Sequence, residues 1–182
     1  MRVIGGTAKG RALKAVPGDS TRPILDRVKV PLFDILRPTL AGISVLDLFG
    51  GTGSVGIEAL SQGAAHCVFL DTNVRAIAAI KHNLEVTQLA AQAEVRHTDA
   101  FIYLKNSSKS FDLIYVAPPQ YEGIWIEIMR SLAERPHLLK ARGSIIVQID
   151  PKEYEPLELA CLQETQQRKY GSTILIFYAM KP

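Results

Sequence analysis

The residues that could carry chemistry in this sequence lie where short apolar runs end. The first such point is residues 47–56 (DLFGGTGSVG), where Gly51, Gly53 and Gly56 form a G-x-G-x-x-G pattern between a predicted strand and a predicted helix. Glycines let the backbone turn sharply and approach a ligand closely, so this placement is typical of nucleotide-cofactor sites. A purely structural turn is the alternative interpretation.

Two further acids follow the next apolar runs. Asp71 comes 20 residues after Gly51, where a carboxylate can accept hydrogen bonds from both hydroxyls of a ribose. Alternatively, it is a solvated strand-end acid or a helix N-terminal charge. Asp99 can receive the exocyclic amine of an adenine or cap the following helix, and the two roles can coexist.

The fourth candidate point is residues 115–121 (YVAPPQY), directly after a strongly strand-like run. Pro118 and Pro119 have no N–H groups and hold an extended, rigid backbone. The carbonyls of this turn remain acceptors that can hold an amine. The alternative interpretation is a stiff connection between a strand and a helix.

These four points favour a methyl donor over a dinucleotide. Asp47 precedes the glycines, where its carboxylate would repel a diphosphate but could face the ammonium group of S-adenosylmethionine. Asp99 adds an acceptor suited to adenine, and two successive prolines have no particular use in hydride transfer. The pattern therefore predicts S-adenosylmethionine rather than NAD as the cofactor.

The surrounding elements alternate between strand and helix from residue 43 onward, which predicts a mostly parallel sheet with helices on both faces. Ligands bind such sheets beyond the carboxyl ends of the strands. Gly171 and Ser172 separate the last two strands, as in a tight antiparallel turn. The predicted strands are residues 43–49, 65–71, 93–98, 111–116, 144–149, 166–170 and 173–180. The predicted helices are residues 54–62, a helix capped by Asn73, and residues 100–105, 122–134 and 155–162.

The first 40 residues do not follow this alternation, and we predict a basic N-terminal extension (1–40) on a Rossmann-like core (41–182) within one domain. Residues 3–6 and 13–16 are expected to pair as a hairpin, and Asp26–Leu36 to form a helix. Residues 1–37 contain eight basic and three acidic side chains. This excess indicates contact with a polyanion or, alternatively, a merely solvated arm.

Composition excludes several other classes of protein. Apolar residues make up 47% of the 182 residues and charged residues 21%, which is typical of a globular domain. No apolar run reaches the length of a membrane helix, and the N-terminus lacks the apolar region of a secretory signal. Cys67 and Cys161 are expected to be free thiols in a reducing cytoplasm. The four scattered histidines give no zinc-site spacing, so no metal is expected.

Taken together, these stretches resemble the RsmD-like family of bacterial 16S rRNA guanine-N2 methyltransferases over nearly the whole chain. The arginine-proline and aspartate-arginine stretches are the more specific part, because many methyltransferases share the glycine motif. The matching segments are residues 2–6 (RVIGG), 9–11 (KGR), Leu13, 21–23 (TRP), 26–28 (DRV), 32–33 (LF), 46–53 (LDLFGGTG) and 56–60 (GIEAL).

The resemblance implies a class I methyltransferase fold, with a seven-stranded, mostly parallel sheet, an antiparallel last strand and an N-terminal hairpin-and-helix extension. It also implies S-adenosylmethionine as donor, a guanine of small-subunit ribosomal RNA as acceptor, and a monomer without a membrane anchor. The cofactor residues would be Asp47, Phe49, Gly50, Gly51, Gly53, Asp71, Thr72, Asp99 and Ala100. The RNA-contacting residues would be Lys9, Arg11, Arg22, Asp26 and Arg27.

The sequence departs from the family at the fourth point. The family pattern is Asp or Asn, Pro, Pro, then an aromatic residue, whereas this chain has Ala117, Pro118, Pro119 and Gln120, with Tyr121 one place later. We expect these five residues to hold the target base, with backbone carbonyls and Gln120 as acceptors. The alternatives are an N6-adenine methyltransferase and a catalytically weakened RNA-binding homologue that acts in ribosome assembly.

Overall fold

One seven-stranded sheet forms the centre of the computed structural model, which describes residues 1–18 and 23–182. Its strand order is β3-β2-β1-β4-β5-β7-β6. The strands are β1 (Ser44–Asp47), β2 (His66–Asp71), β3 (Ala93–His97), β4 (Phe111–Val116), β5 (Leu139–Ile149), β6 (Leu162–Tyr170) and β7 (Thr173–Met180). The helices are α1 (Asp26–Leu36), α2 (Ser54–Ser61), α3 (Val74–Val86), α4 (Ala100–Asn106) and α5 (Ile124–Ala133).

The pairing of the strands confirms the predicted fold. Strands β1 to β5 pair in parallel, and β7 is antiparallel to both β5 and β6. The strand order reverses between β1 and β4, so their carboxyl ends form the point where such sheets bind ligands. Asp47 ends β1 at this point, and Ala117 follows β4.

Apolar residues on both sides of the strands explain why helices cover both faces. Alternate strand residues point to opposite faces, so Val45 packs in the cluster with the extension and α1 to α3, while Leu46 packs in the cluster with α4 and α5. Both side chains are completely buried. Within the described ranges, no helix is long and apolar enough to span a membrane.

The N-terminal extension is part of the core rather than a loose arm. The predicted hairpin is reduced to a single antiparallel bridge between Arg2 and Ala12. Val3 and Leu13 are buried against α1 and α2. Gly6 lies so close to α2 that a Cβ atom there would be 1.7 Å from the carbonyl oxygen of Ser61. Only glycine fits this contact.

One predicted helix is wrong. Residues 155–162 form no helix; the chain runs without regular structure from residue 154 to 159 after a 3-10 turn at Pro151–Glu153, and Leu162 begins β6. Pro156 disfavours a helical conformation of the residue before it. The carbonyl of Cys161 accepts the backbone N–H of Lys181 at 2.9 Å instead. The apolar residues there therefore pack on the core from an extended chain.

Candidate active site

A cleft of about 580 Å³ opens beyond the carboxyl ends of β1, β2 and β4. The structure brings most of the predicted cofactor and catalytic residues together around it. Those that line it are Asp47, Phe49, Gly50, Gly51, Asp71, Thr72, Asp99, Ala100, Ala117, Pro118, Pro119 and Gln120. Its size is within the usual range for small-molecule sites.

The glycine loop is held by its own backbone hydrogen bonds. The N–H of Gly50 donates to the carbonyl of Leu70 at 2.7 Å, and that of Gly53 donates to the carbonyl of Gly50 at 2.7 Å. Gly53 has a φ of 80° at the N-cap of α2, a left-handed conformation that glycine adopts without strain. Gly53 therefore shapes the turn and is not among the residues that line the cleft.

Asp71 ties this loop to the end of β2. Its Oδ2 accepts the N–H of Gly51 at 2.9 Å, and its Oδ1 accepts the N–H of Asn73 at 2.8 Å. A carboxylate oxygen has two lone pairs, so both oxygens retain capacity for a ligand hydroxyl. The same side chain can thus order the loop and bind a ribose.

Asp99 caps α4, which is one of its two predicted roles. Its Oδ1 accepts the N–H groups of Phe101 at 2.8 Å and Ile102 at 3.1 Å. Oδ2 accepts no hydrogen bond from the described residues, and Asp99 lines the cleft together with Thr98 and Ala100. The cap therefore fixes the carboxylate without preventing a contact with an adenine amine.

Asp47 is a buried acid at the floor of the cleft. It is 2% exposed, and its Oδ1 has no hydrogen-bond partner among the described residues. Burial, and then repulsion by Asp71, raises the pKa of Asp47 to about 7, although the backbone N–H groups of Phe49 and Gly56 oppose the shift. An unpaired buried carboxylate is costly. A cationic ligand group would supply the missing partner, and the ammonium of S-adenosylmethionine fits this requirement.

Two further chain segments line the cleft. Ala117 to Gln120 line one wall, and Pro23 and Ile24 of the extension line the cleft with them.

No group of three or more acidic, histidine or cysteine side chains that could hold a metal ion occurs among the residues that the structure describes.

Tyr121 is placed differently from the other four predicted catalytic residues. Its backbone N–H donates to Glu153 at 2.8 Å, and its hydroxyl donates to Asp150. It is 63% exposed, has a φ of 62° and is not among the residues that line the cleft. The structure therefore fixes this aromatic ring at the rim, beside the chain that follows β5.

The predicted RNA-contacting residues lie at two separate places. Arg22 falls outside the described residues. Asp26 and Arg27 begin α1 two residues after Ile24, and the guanidinium of Arg27 lies against Gly171, 3.4 Å from where a Cβ atom would be. Lys9 and Arg11 are exposed at the turn that rests on the C-terminal end of α2. Asp26 and Arg27 therefore lie close in the chain to Ile24, which lines the cleft, whereas Lys9 and Arg11 lie at the far end of α2.

Sequence reasoning gave no site role to Pro23, Ile24, Tyr115 or Gln148, although all four line the cleft and Tyr115 begins the candidate segment 115–121. A signal existed only for Gln148, since it is the one polar residue in the apolar run 145–149. The other three are apolar or aromatic residues in segments that a core would equally use.

The comparisons with known proteins agree with the observed fold and with the predicted family. The model of the family described as "Conserved hypothetical protein 95" matches residues 1–179. The chain belongs to this family, the RsmD-like methyltransferases. It is 38% identical over 181 residues to "Putative rRNA methyltransferase YlbH" of Bacillus subtilis, covering 98% of both chains. It is 32% identical over 153 residues to "Ribosomal RNA small subunit methyltransferase D" of Haemophilus influenzae, covering 82% of this chain and 79% of the relative.

Two solved structures with the same fold are named as methyltransferases. "Putative methyltransferase yhhF from Escherichia coli" is 30% identical with a TM-score of 0.86, covering 100% of this RsmD-like chain and 98% of that chain. "SMU.776, a putative methyltransferase complexed with SAH" is 19% identical with a TM-score of 0.66, covering 86% of this chain and 50% of that one. The second comparison shows the shared fold alone.

Proposed function

We propose that this enzyme transfers a methyl group from S-adenosylmethionine to the exocyclic N2 amine of a guanine in small-subunit ribosomal RNA. The observation that supports S-adenosylmethionine as the methyl donor is the buried Oδ1 of Asp47. This atom has no hydrogen-bond partner within the described chain, and Asp47 lines the cleft with Asp71 and Asp99. The relative from Haemophilus influenzae, which is named as a small-subunit ribosomal RNA methyltransferase, supports the acceptor.

Three carboxylates of the cleft would each bind a different part of S-adenosylmethionine. Asp47 would bind the ammonium group, Asp71 and Thr72 the ribose, and Asp99 with Ala100 the adenine. Phe49, Gly50 and Gly51 line the same cleft, and glycines leave room for a ligand close to the backbone. When bound, S-adenosylmethionine supplies an electrophilic methyl group on a sulfonium.

The Pro-Pro turn would hold the acceptor. A guanine must leave its stack to enter a cleft of this kind, so a flipped base is expected. The carbonyls of Ala117 and Pro118 would accept the amine hydrogens and direct the nitrogen lone pair toward the methyl group. The rate enhancement is expected to come mainly from this positioning.

Ala117 makes this turn less polar than the family pattern. One amine hydrogen left without an acceptor in a buried site costs about 1–3 kcal/mol, which corresponds to a rate loss of roughly 5- to 150-fold. A loss of that size slows an enzyme without abolishing its activity. Gln120 lies in the same wall and provides a side-chain carbonyl.

The basic residues of the extension would bind phosphates. Such contacts give affinity and orientation but carry little sequence information. We also propose that the protein is a monomer in the cytoplasm, and light scattering on the purified protein tests its oligomeric state.

The experiment is methyl transfer with labelled S-adenosylmethionine and ribosomal RNA from a strain that lacks this gene. Nucleoside analysis of the product identifies the methylated atom. We expect N2-methylguanosine in the small-subunit RNA. N6-methyladenosine would establish the alternative base, and binding of donor and RNA without transfer would show a homologue that has lost catalysis.

A further inference from the structure

A pair of polar side chains crosses from β4 to β5 beneath the acceptor end of the cleft. The hydroxyl of Tyr115 donates to Oε1 of Gln148. Tyr115 is 3% exposed and Gln148 is half-buried, and both line the cleft. A buried phenol bonded in this way holds the amide in one orientation.

The strand register places this amide next to Ala117. Val116 pairs with Val147 in the parallel ladder of β4 and β5, so Ala117 and Gln148 are the next neighbours along the two strands. Successive side chains alternate between faces, which puts Ala117, Gln148 and Tyr115 on one face. Alanine brings no polar group there, and Gln148 is therefore the polar side chain beside it.

The orientation of the amide decides which of its atoms a ligand would meet. Its Oε1 is engaged by Tyr115, whereas its Nε2 makes no hydrogen bond within the described ranges of the chain. The side chain therefore offers the cleft two N–H donors. The carbonyls of the neighbouring turn offer acceptors only. Together they match a base edge on which an exocyclic amine lies next to a ring acceptor atom.

We propose that Gln148, oriented by Tyr115, donates a hydrogen bond to a ring acceptor of the flipped base and thereby turns its amine toward the methyl donor. This inference rests on the proposed function and gives the acceptor site a recognition residue. Gln148 would be a catalytic residue in contact with the substrate, and Tyr115 a positioning residue that acts through it.

Two substitutions of Gln148 test its role as a hydrogen-bond donor to the base. Gln148→Glu retains an oxygen for the hydroxyl of Tyr115 but has no N–H group, and Gln148→Leu removes both. Because the proposal assigns the effect to the N–H, both variants should lower kcat/KM for methyl transfer to undermodified small-subunit RNA by about 10- to 100-fold. The affinity for S-adenosylmethionine, measured by calorimetry, should stay within about twofold in both.

A merely structural role for Gln148 predicts a different pattern. Gln148→Glu would then transfer methyl groups at the wild-type rate, which would overturn the proposal. Tyr115→Phe should lower kcat/KM by a smaller factor than Gln148→Leu, since the amide is present but free to turn; an equal or larger loss with intact donor binding would also count against it. Gln163→Leu is the matched control, because Gln163 is exposed near the start of the edge strand β6 and does not line the cleft.

A second-site variant guards against loss of folding. Ala117→Asn should place an amide beside position 148, so the double variant Ala117→Asn with Gln148→Leu should recover about tenfold in kcat/KM over Gln148→Leu alone. Absence of any recovery, with donor binding intact, would contradict the inference. If wild-type protein methylates no RNA, the proposed function fails; if wild type is active and Gln148→Leu equals it, only this inference fails.

Discussion

Lys29 of α1 and Glu58 of α2 form an ion pair of 2.9 Å in which both side chains are completely buried. Lys29 also donates to the carbonyl of Arg2 at 3.1 Å and to the hydroxyl of Ser54 at 2.9 Å. Glu58 accepts the N–H of Ile4 at 2.8 Å. One buried pair thus joins the start of the chain, helix α1 and the residue that follows the glycine loop.

Removing one member of this pair should strongly destabilise the fold. Lys29→Met leaves the carboxylate of Glu58 buried without a cation, which typically costs about 3–5 kcal/mol. Urea unfolding followed by circular dichroism measures the change in the free energy of unfolding. Arg37→Met is the control, since it breaks the exposed pair of Arg37 with Asp34 and should cost no more than about 1 kcal/mol. Similar small losses in both variants would contradict this account.

The fold was largely predictable from sequence, whereas contacts between distant segments were not. The apolar runs at residues 43–49, 65–71 and 111–116 predict three strands, because the local pattern and the turns that follow specify them. The pairing of Lys29 with Glu58 joins residues far apart in the chain, and nothing in the local pattern of either helix predicts it. The sequence therefore predicts a basic extension outside the alternating core, and it does not reveal that apolar residues of this extension such as Val3 and Leu13 are buried in that core.

The same limit applies to the site. Loops that follow parallel strands meet at one sheet edge, so the sequence was enough to bring Asp47, Asp71, Asp99 and Ala117 together. The hydrogen bonds of Tyr121 to Asp150 and Glu153 depend on the path of the chain after β5. That segment was predicted in part as a helix, and its actual path is set by packing against the core.

The raised pKa of Asp47 predicts a specific pH dependence of stability. Because its pKa is about 7 in the folded protein instead of 3.8, the folded state binds this proton more tightly than the unfolded chain does. The contribution to stability is therefore complete below about pH 4 and is lost as the pH rises through 7, by a total of about 4 kcal/mol. Asp47→Asn removes this dependence.

Urea unfolding of wild type and Asp47→Asn isolates the effect of that one group. The two proteins should differ little at about pH 4, and the variant should be the more stable by a few kcal/mol at about pH 8. A stability difference that does not change with pH would contradict the assignment of the raised pKa to Asp47.

The same carboxylate should couple donor binding to proton release. A bound ammonium favours the ionised form of Asp47, so binding of S-adenosylmethionine at about pH 6 should release nearly one proton. Calorimetry in two buffers with different ionisation enthalpies measures this number. Asp47→Asn should release none and should bind the donor more weakly, by about 1.5–3 kcal/mol for a lost charged hydrogen bond. Equal proton release in both proteins would contradict this role.

Substitution of Asp71 should weaken donor binding through both the loop and the ribose. Asp71→Ala removes the acceptor of the Gly51 and Asn73 N–H groups and should reduce affinity for S-adenosylmethionine by about 1–3 kcal/mol. Asp71→Asn keeps one acceptor oxygen, so its affinity for S-adenosylmethionine should lie between those of wild type and Asp71→Ala. Calorimetry with S-adenosylmethionine and NAD measures this, with the exposed Asp34→Ala as control. A wild-type preference for NAD would contradict the assigned cofactor.

Neutralising exposed charges tests the RNA-binding role of the extension better than deleting it, because deletion would remove Lys29. Arg27→Gln should weaken RNA binding and reduce the slope of log affinity against log salt by about 0.7–0.9, the value for one phosphate contact. Lys9→Gln with Arg11→Gln should reduce it by about twice as much. Filter binding at several salt concentrations measures both, and Lys81→Gln on α3 is the control. An unchanged slope would exclude the substituted residue from the interface.

The turn after β4 provides the prediction on which the acceptor chemistry depends most. If backbone carbonyls and Gln120 hold the target amine, Gln120→Ala should slow single-turnover methyl transfer by roughly 5- to 150-fold, the effect of one lost acceptor. Donor affinity should be nearly unchanged, because Asp47, Asp71 and Asp99 are intact. A wild-type rate in this variant would remove Gln120 from the proposed acceptor site.

A variant that restores the family pattern in the turn after β4 tests whether the natural chain is active. Ala117→Asp with Gln120→Tyr recreates the usual family pattern on the wall that lines the cleft, while Tyr121 stays bonded to Asp150 and Glu153 at the rim. Because the added acid supplies an acceptor for the amine, the double variant should transfer methyl groups about tenfold faster than wild type. A tenfold change in rate corresponds to about 1.4 kcal/mol. Single-turnover transfer to undermodified small-subunit RNA is the measurement. Clear transfer by the rebuilt protein but none by wild type would show that Ala117 has cost this chain its activity.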